Sequence, residues 1–217
     1  MDLDAIILSL KLAFWTLVVI LPFGIWVAHK MMRLNKSRPW LEAGLALPLV
    51  LPPTVLGYYF LLGLGGKTLF GIPLVFSFSG ILLASLVVNL PFAIQPIQRA
   101  FEAINPEIRE AAQVSGLSDW QIFRLIELPL AWRGIISAAV LTFAHTLGEF
   151  GVVLMVGGAI PGETKTVSIA IYDKVQNFDA SGAGALSLLL LLISLIAIAI
   201  SYGVFGKSQT NPLNGRI

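Results

Sequence analysis

The chain has 217 residues, of which 57% are apolar and only 12% charged, with a net charge of +2. Soluble domains carry about 25% charged residues, so twelve acids and fourteen bases cannot cover a water-exposed surface; a soluble fold and disorder are both excluded. The absence of cysteine removes disulfides, thiolate metal sites and a cysteine nucleophile, and the small, scattered charge leaves no nucleic-acid footprint. What remains is an all-α polytopic protein of the lipid bilayer.

A spanning helix needs about 20 apolar residues. Five stretches qualify: 5–28, 43–65, 74–97, 134–157 and 183–205. The first begins at acidic residues, Asp2 and Asp4, and runs past signal-peptide length, so it reads as a retained span. Lys11 near its outer end can snorkel. Asn35-Lys36-Ser37 fits a glycosylation acceptor but falls in a basic loop on the expected inner side, where it has no use. Glu42 reads as an interfacial charge paired with that loop. Prolines 48, 52, 53, 91 and 96 crowd spans two and three; each removes a helix hydrogen bond, so kinks that shape the bundle and a bent, gated path are both open. Gly80 with Ala84, and Ala180 with Gly184, are small pairs four apart that suit close helix packing.

Lysine and arginine set the orientation. Lys30, Arg33, Lys36, Arg38, Arg99, Arg109, Arg124, Arg133, Lys207 and Arg216 fall on one side, and only Lys11, Lys67, Lys165 and Lys174 on the other. The first group belongs in the cytoplasm. That puts the N-terminus outside and the C-terminus inside, with 98–133 as the longest inner loop and a polar tail after residue 206.

That loop has internal order. Asn105-Pro106-Glu107 has the cap, first-turn proline and acid of a helix start. The helix would stop at Gly116. Ser118, with Gln121 three residues on, starts a second helix through a capping box; it carries Trp120, Ile122, Phe123, Leu125 and Ile126 and ends at Pro129. Such a hairpin suits docking into a partner's groove or lying on the membrane surface.

Glu110-Ala111-Ala112, Gly116, Ile126, Leu128 and Pro129 fit the pattern E-A-A-x3-G-x9-I-x-L-P at every fixed position. This resembles the cytoplasmic signature of permease subunits of ABC importers. The resemblance implies a type I importer permease fold, with this loop sitting in a cleft of a separate ATPase subunit. Glu110, Ala111, Ala112 and Gly116 would form the docking turn. A second stretch, Gly148-Glu149-Phe150-Gly151, then Ile160-Pro161-Gly162, Thr164, Thr166 and Ala170-Ile171-Tyr172, is similar to the oxyanion branch, and most of all to its molybdate members.

The chain carries no ATPase of its own. The stretch nearest to a phosphate-binding loop, 61–68, has Leu61 at the first glycine position and follows a membrane helix, and the 98–133 loop is too short for an ATPase domain. ATP and magnesium would bind the partner, so no catalytic residue or cofactor is expected in this chain. His29 and His145 are far apart and lack ligand partners, so no metal site is expected. No arginine lies in a span, where a bidentate anion pocket would favour one. Capture therefore falls to an extracytoplasmic binding protein. Path or gate candidates are Thr54, Asn89, Thr142, Gly148, Glu149 and Gly151, with Ser85 and Thr146 as further neutral groups. His145 and Glu149, four apart, would either line the path or lock span four to a neighbour.

The sequence thus reads as one transmembrane domain over 1–217, paired as a homodimer in the cell membrane and importing molybdate, or tungstate. A sulfate importer is the alternative within the family. An ion-coupled secondary transporter is the alternative outside it, although the repeats such carriers show are not seen.

Overall fold

The structure, a computed structural model, describes residues 3–34, 36–69 and 71–205. Asn35, Lys207 and Arg216 lie outside the described residues. Helix α1 (Leu3–Met31) runs through the centre and buries one stripe, including Ala5, Leu8, Leu12, Ala13, Thr16, Ile20, Gly24 and Ala28. Spacings of three and four put these residues on one face. In lipid, apolar burial adds little to helix association, so small residues that let backbones approach carry the packing.

The expected second span is two helices, α2 (Arg38–Val50) and α3 (Pro53–Leu64), bent by 106°. A residue before proline is pushed out of the α region. Leu51 and Pro52 both precede a proline, and both have ψ 137°. Two short strands, β1 (Thr68–Leu69) and β2 (Ile72–Pro73), pair antiparallel after α3. They end just before the expected start of span three at residue 74; the helix begins four residues later, at α4 (Phe78–Val88), capped by Ser77, and continues past 97 as α5 (Leu90–Glu102).

The inner loop folds into α6 (Pro106–Val114), α7 (Asp119–Ile122), a π-helical turn (Phe123–Glu127) and α8 (Leu128–Leu130). A 65° bend then leads into α9 (Trp132–Gly148). The expected fourth span does not run through to 157. It breaks at Glu149, which is extended at ψ 126°, and resumes as α10 (Gly151–Gly157). Glycines on both sides of Glu149–Phe150 weaken the helix there. Helix α11 (Val167–Gln176), absent from the sequence reading, precedes α12 (Ala180–Phe205), which starts three residues before the expected fifth span.

Among the described residues three helical stretches are long and apolar enough to cross a membrane: α1, α4–α5 and Ala180–Ile200. The number is five if each bent pair counts as one span, the pairs being α2–α3 and α7–α8 with α9. α1, α5 and α9 share the main core, with Ala28, Met31, Ile94, Ile97, Phe101 and Ala138. Gly134 meets Ala100 and the Pro96 carbonyl, and Gly80 meets the Leu74 carbonyl; neither has room for a Cβ. Gly184, by contrast, has nothing within 4 Å. Among the described residues Gly184 thus shows no close approach, while Gly80 is crowded first by the Leu74 carbonyl in the turn before its own helix and only then by Val156 of α10, at 3.4 Å.

Candidate functional site

The 98–133 segment is ordered by its own backbone. Asn105 accepts the Glu107 amide at 3.0 Å and Pro106 opens the first turn of α6, as the sequence implied. At the other end Gly116 has φ +82°, a left-handed value that favours glycine. The Gly116 amide donates to Gln113 (2.9 Å) and the Leu117 amide to Ala112 (3.1 Å), the paired bonds of a Schellman turn. Ser118 and Gln121 then form the capping box that begins α7. Ala112 is buried, whereas Glu110 and Ala111 are exposed on the outer side of α6. The tip leaves large apolar groups uncovered: Val114 is 90% and Trp120 66% exposed. Ile126 and Leu128 are half-buried and Pro129 is exposed. The second helix does not end at Pro129; it runs to Leu130 through the π turn. Pro129 has no N–H, and its ring would press on the Leu125 carbonyl of an α-helix. Widening the turn, with the Leu128 amide on the Phe123 carbonyl, relieves this.

The π turn points Glu127 inward. Its carboxylate is nearly sealed from solvent and lies 2.9 Å from His29 Nε2 and 2.5 Å from Arg109 Nε. Arg109 also donates to the Phe101 carbonyl at 3.0 Å. One carboxylate thereby joins α1, α6 and the π turn, close to the end of α5. Sequence reasoning missed this cluster. The available signal was a lone acid in the run Leu125-Ile126-Glu127-Leu128-Pro129-Leu130, since a buried charge demands partners. Around it, Arg33 pairs with Asp119 at 3.0 Å, and Arg38 pairs with both Glu42 (2.7 Å) and Glu102. The expected pairing of Glu42 with the basic loop is present.

A second polar cluster sits at the break in span four. Asn89 donates through Nδ2 to the Ser85 carbonyl (2.8 Å), which leaves Oδ1 to face His145 Nδ1 at 3.1 Å. The His145 ring stacks on Phe92, with centroids 4.0 Å apart. Its Nε2 is 3.8 Å from Glu149 Oε2, too long for a hydrogen bond. Glu149 instead accepts the Val152 amide at 3.2 Å, capping α10. His145 and Glu149 adjoin a cavity of about 250 Å³ lined also by Pro53, Leu56 and Phe92. At about 30 Å³ per water in the liquid, it has room for several. Of the path candidates, Glu149 lines this cavity, Asn89 is joined to it through His145, and Gly151 packs on Pro53. Gly148 is open and Thr54 exposed on α3. Thr142 is sealed in the core, and its hydroxyl has no partner among the described residues.

At the far end of the bundle the Ile160-Pro161-Gly162-x-Thr164-x-Thr166 run is a tight turn. Thr164 donates to the Gly157 carbonyl (2.7 Å) and accepts the Ile160 amide (2.9 Å). Ser9 accepts the Val167 amide at 2.8 Å, tying the turn to α1. Asp179 accepts from the Gly182 amide, Lys174 and Ser181, which together draw its pKa from 3.8 down to about 2. Among the described residues no three of His, Asp and Glu converge as a metal site.

A profile of the family described as "binding-protein-dependent transport system inner membrane component" matches residues 20–208. The chain is 44% identical over 194 residues to the molybdenum transport system permease protein ModB of Azotobacter vinelandii, covering 84% of each chain. It is 39% identical to ModB of Escherichia coli K12 over 80% of each. The sulfate transport system permease protein CysT of Escherichia coli K12 is more distant, at 31% identity over 76% of this chain and 62% of that protein. Among solved structures, a bacterial ABC transporter that imports alginate shares the fold at TM-score 0.74 and 21% identity, covering 92% of this chain and 78% of that one. The MetNI methionine ABC transporter does so at TM-score 0.70 and 19% identity, covering 94% of each. With its apolar helices, its proline-broken spans and its match to that profile, the chain is a membrane protein and belongs to the binding-protein-dependent transport system inner membrane component family.

Proposed function

We propose that this chain is the permease of an ATP-driven importer of molybdate, with tungstate next and sulfate third. The observation that carries the transport mechanism is the Gly116 turn. It fixes the turn of an exposed, partly apolar tip on the end of the bundle that bears the basic residues. A tip of this kind fits a cleft in a cytoplasmic ATPase, with Glu110, Ala111, Ala112, Gly116, Ile126, Leu128 and Pro129 as the docking and supporting residues. The substrate order rests on the likeness to the ModB proteins over most of the chain, against the weaker likeness to CysT.

Residues 1–217 form one transmembrane domain with five spans, each bent pair serving as one span, the N-terminus outside and the basic end in the cytoplasm. Five spans enclose little space, so two copies pair around one path, and each docks one ATPase. ATP and magnesium bind those partners and no covalent step occurs here. Closure of the ATPases moves α6–α8 of each copy and reopens the path outward. An extracytoplasmic binding protein delivers the dianion. The path passes the break in span four, near Thr54, Asn89, Gly148, Glu149 and Gly151. Thr142 joins it only when α9 shifts. A carboxylate facing the path would repel the dianion; Glu149 directs one oxygen onto the Val152 amide, which ties that oxygen to the start of α10.

The test is uptake of labelled molybdate into proteoliposomes holding this chain, its ATPase and its binding protein. Inhibition by tungstate and not by sulfate is expected. Competition by sulfate at equal concentration would move the assignment to the sulfate branch.

A further inference from the structure

We propose that Glu127 is a positioning residue that makes the docking element and the first span move as one body. This rests on the ATPase-coupled reading above. A carboxylate sealed from water costs more than it returns unless it is fully paired. Glu127 is 5% exposed and takes its partners from two other segments, His29 of α1 and Arg109 of α6. Arg109 is pinned in turn to the Phe101 carbonyl near the end of α5. The His29 ring lies between Phe101 and Phe123, with centroids 5.9 and 4.5 Å away, so the imidazole has little freedom to follow the carboxylate elsewhere. π turns inside helices are rare and concentrate at functional sites; here the turn presents this one acid to its partners. Glu127 also borders a polar cavity of about 300 Å³ between α1, α6 and α7, lined by Arg33, Gln113 and Asp119 as well. The docking element is therefore not packed solidly on α1. Across that gap the Glu127 pair is the buried ionic link; Arg109 also reaches the Met32 sulfur at 3.7 Å and Phe123 packs on His29, contacts without charge pairing, while Arg33 with Asp119 is exposed and correspondingly weak. A push on α6 reaches α1 through His29–Glu127–Arg109. Without the carboxylate, the element can move while α1 stays.

The test uses the complete importer in proteoliposomes and reads molybdate delivered per ATP hydrolysed, together with ATPase bound per permease. Glu127→Gln keeps the shape and removes the charge; His29→Gln keeps a hydrogen-bonding group on the other side of the pair. Both variants are expected to bind the ATPase and hydrolyse ATP while delivering roughly tenfold less molybdate per ATP, the scale of losing a hydrogen bond to a charged group. Unchanged delivery per ATP in Glu127→Gln would overturn the proposal. Failure of the unmodified importer to take up molybdate with ATP would instead overturn the function proposed above. As a second measurement, the absence of native cysteine allows spin labels at Lys30→Cys on α1 and Glu107→Cys on α6. The distance between them should be the same with and without trapped ATP when Glu127 is present. A change on ATP trapping in that protein would overturn the proposal even if neither substituted variant inserts.

Discussion

Asn89 and His145 hold the fourth span to the third at the level where the fourth breaks. Because Asn89 spends its amide N–H on the Ser85 carbonyl, its oxygen is left as the acceptor, and His145 Nδ1 donates across the 3.1 Å gap. The ring also stacks on Phe92 of α5. Both roles that the sequence left open for His145 are compatible with this arrangement: it locks two helices, and it borders the cavity. Replacing His145 by Ala leaves the buried Asn89 oxygen unpaired, at about 1–3 kcal/mol. Asn89→Ala and His145→Ala should therefore lower thermal stability in detergent by less together than the sum of the single losses. Additive losses would show that the pair is not coupled.

Gly116→Leu should separate backbone strain from crowding. Nothing lies within 4 Å of a Cβ at this position, so the penalty comes from the left-handed backbone alone, about 1–2 kcal/mol. The variant should insert and dimerise normally but take up molybdate with ATP at least several-fold more slowly. Gly116→Asn, which tolerates that backbone better, should recover most of the rate.

The two packing glycines should behave in the opposite way from Gly184. Gly80→Val drives a side chain into the Leu74 carbonyl, and Gly134→Val into the Pro96 carbonyl and Ala100. Each should cost roughly 1–3 kcal/mol or more, since backbone must shift, and thermal unfolding in detergent would register it. Gly184→Ala meets nothing within 4 Å among the described residues and should leave the unfolding midpoint within error; a large drop in detergent-solubilised dimer would place that face at the contact between copies.

Glu149 caps α10 through one oxygen, so Glu149→Gln retains the acceptor and Glu149→Ala loses it. The alanine variant should lose about 1 kcal/mol of stability and the glutamine variant almost none. If uptake survives in Glu149→Gln, the carboxylate serves as a cap; if uptake fails while stability holds, its charge takes part in passage.

Acid should loosen the start of α12. The Asp179 pKa lies below its ordinary 3.8, at about 2, so its contribution is complete above 3.8 and is lost as pH falls toward 2. Protection of the Gly182 amide, measured as its exchange rate relative to the intrinsic rate at each pH, should fall over that window. Asp179→Ala should lack that protection at every pH.

The signals written locally in the chain were legible in the sequence. Capping at Asn105 and Ser118 and the glycine stop at 116 need only neighbours a few residues away, and each appears where its spacing put it; Glu42 pairs with the basic loop as expected, with Arg38 as the partner. The family, too, followed from motifs with fixed spacing. Hydropathy sees apolar length and not direction, so two helices meeting at 106° across Pro52–Pro53 read as one span. The same blindness hid the break at Glu149 and the short helix α11, which is too polar to register as a span and too short to stand out. Glu127 escaped because its partners are distant in sequence. Nothing in the order of residues says that His29 and Arg109 meet at one carboxylate.

The most direct measurement is simultaneous counting of ATP hydrolysed and molybdate accumulated in proteoliposomes containing this chain, its ATPase and its binding protein. Accumulation should require all three, follow ATP hydrolysis, and persist when ionophores collapse every ion gradient. Molybdate accumulation driven by an ion gradient with the ATPase left out would contradict the importer reading outright.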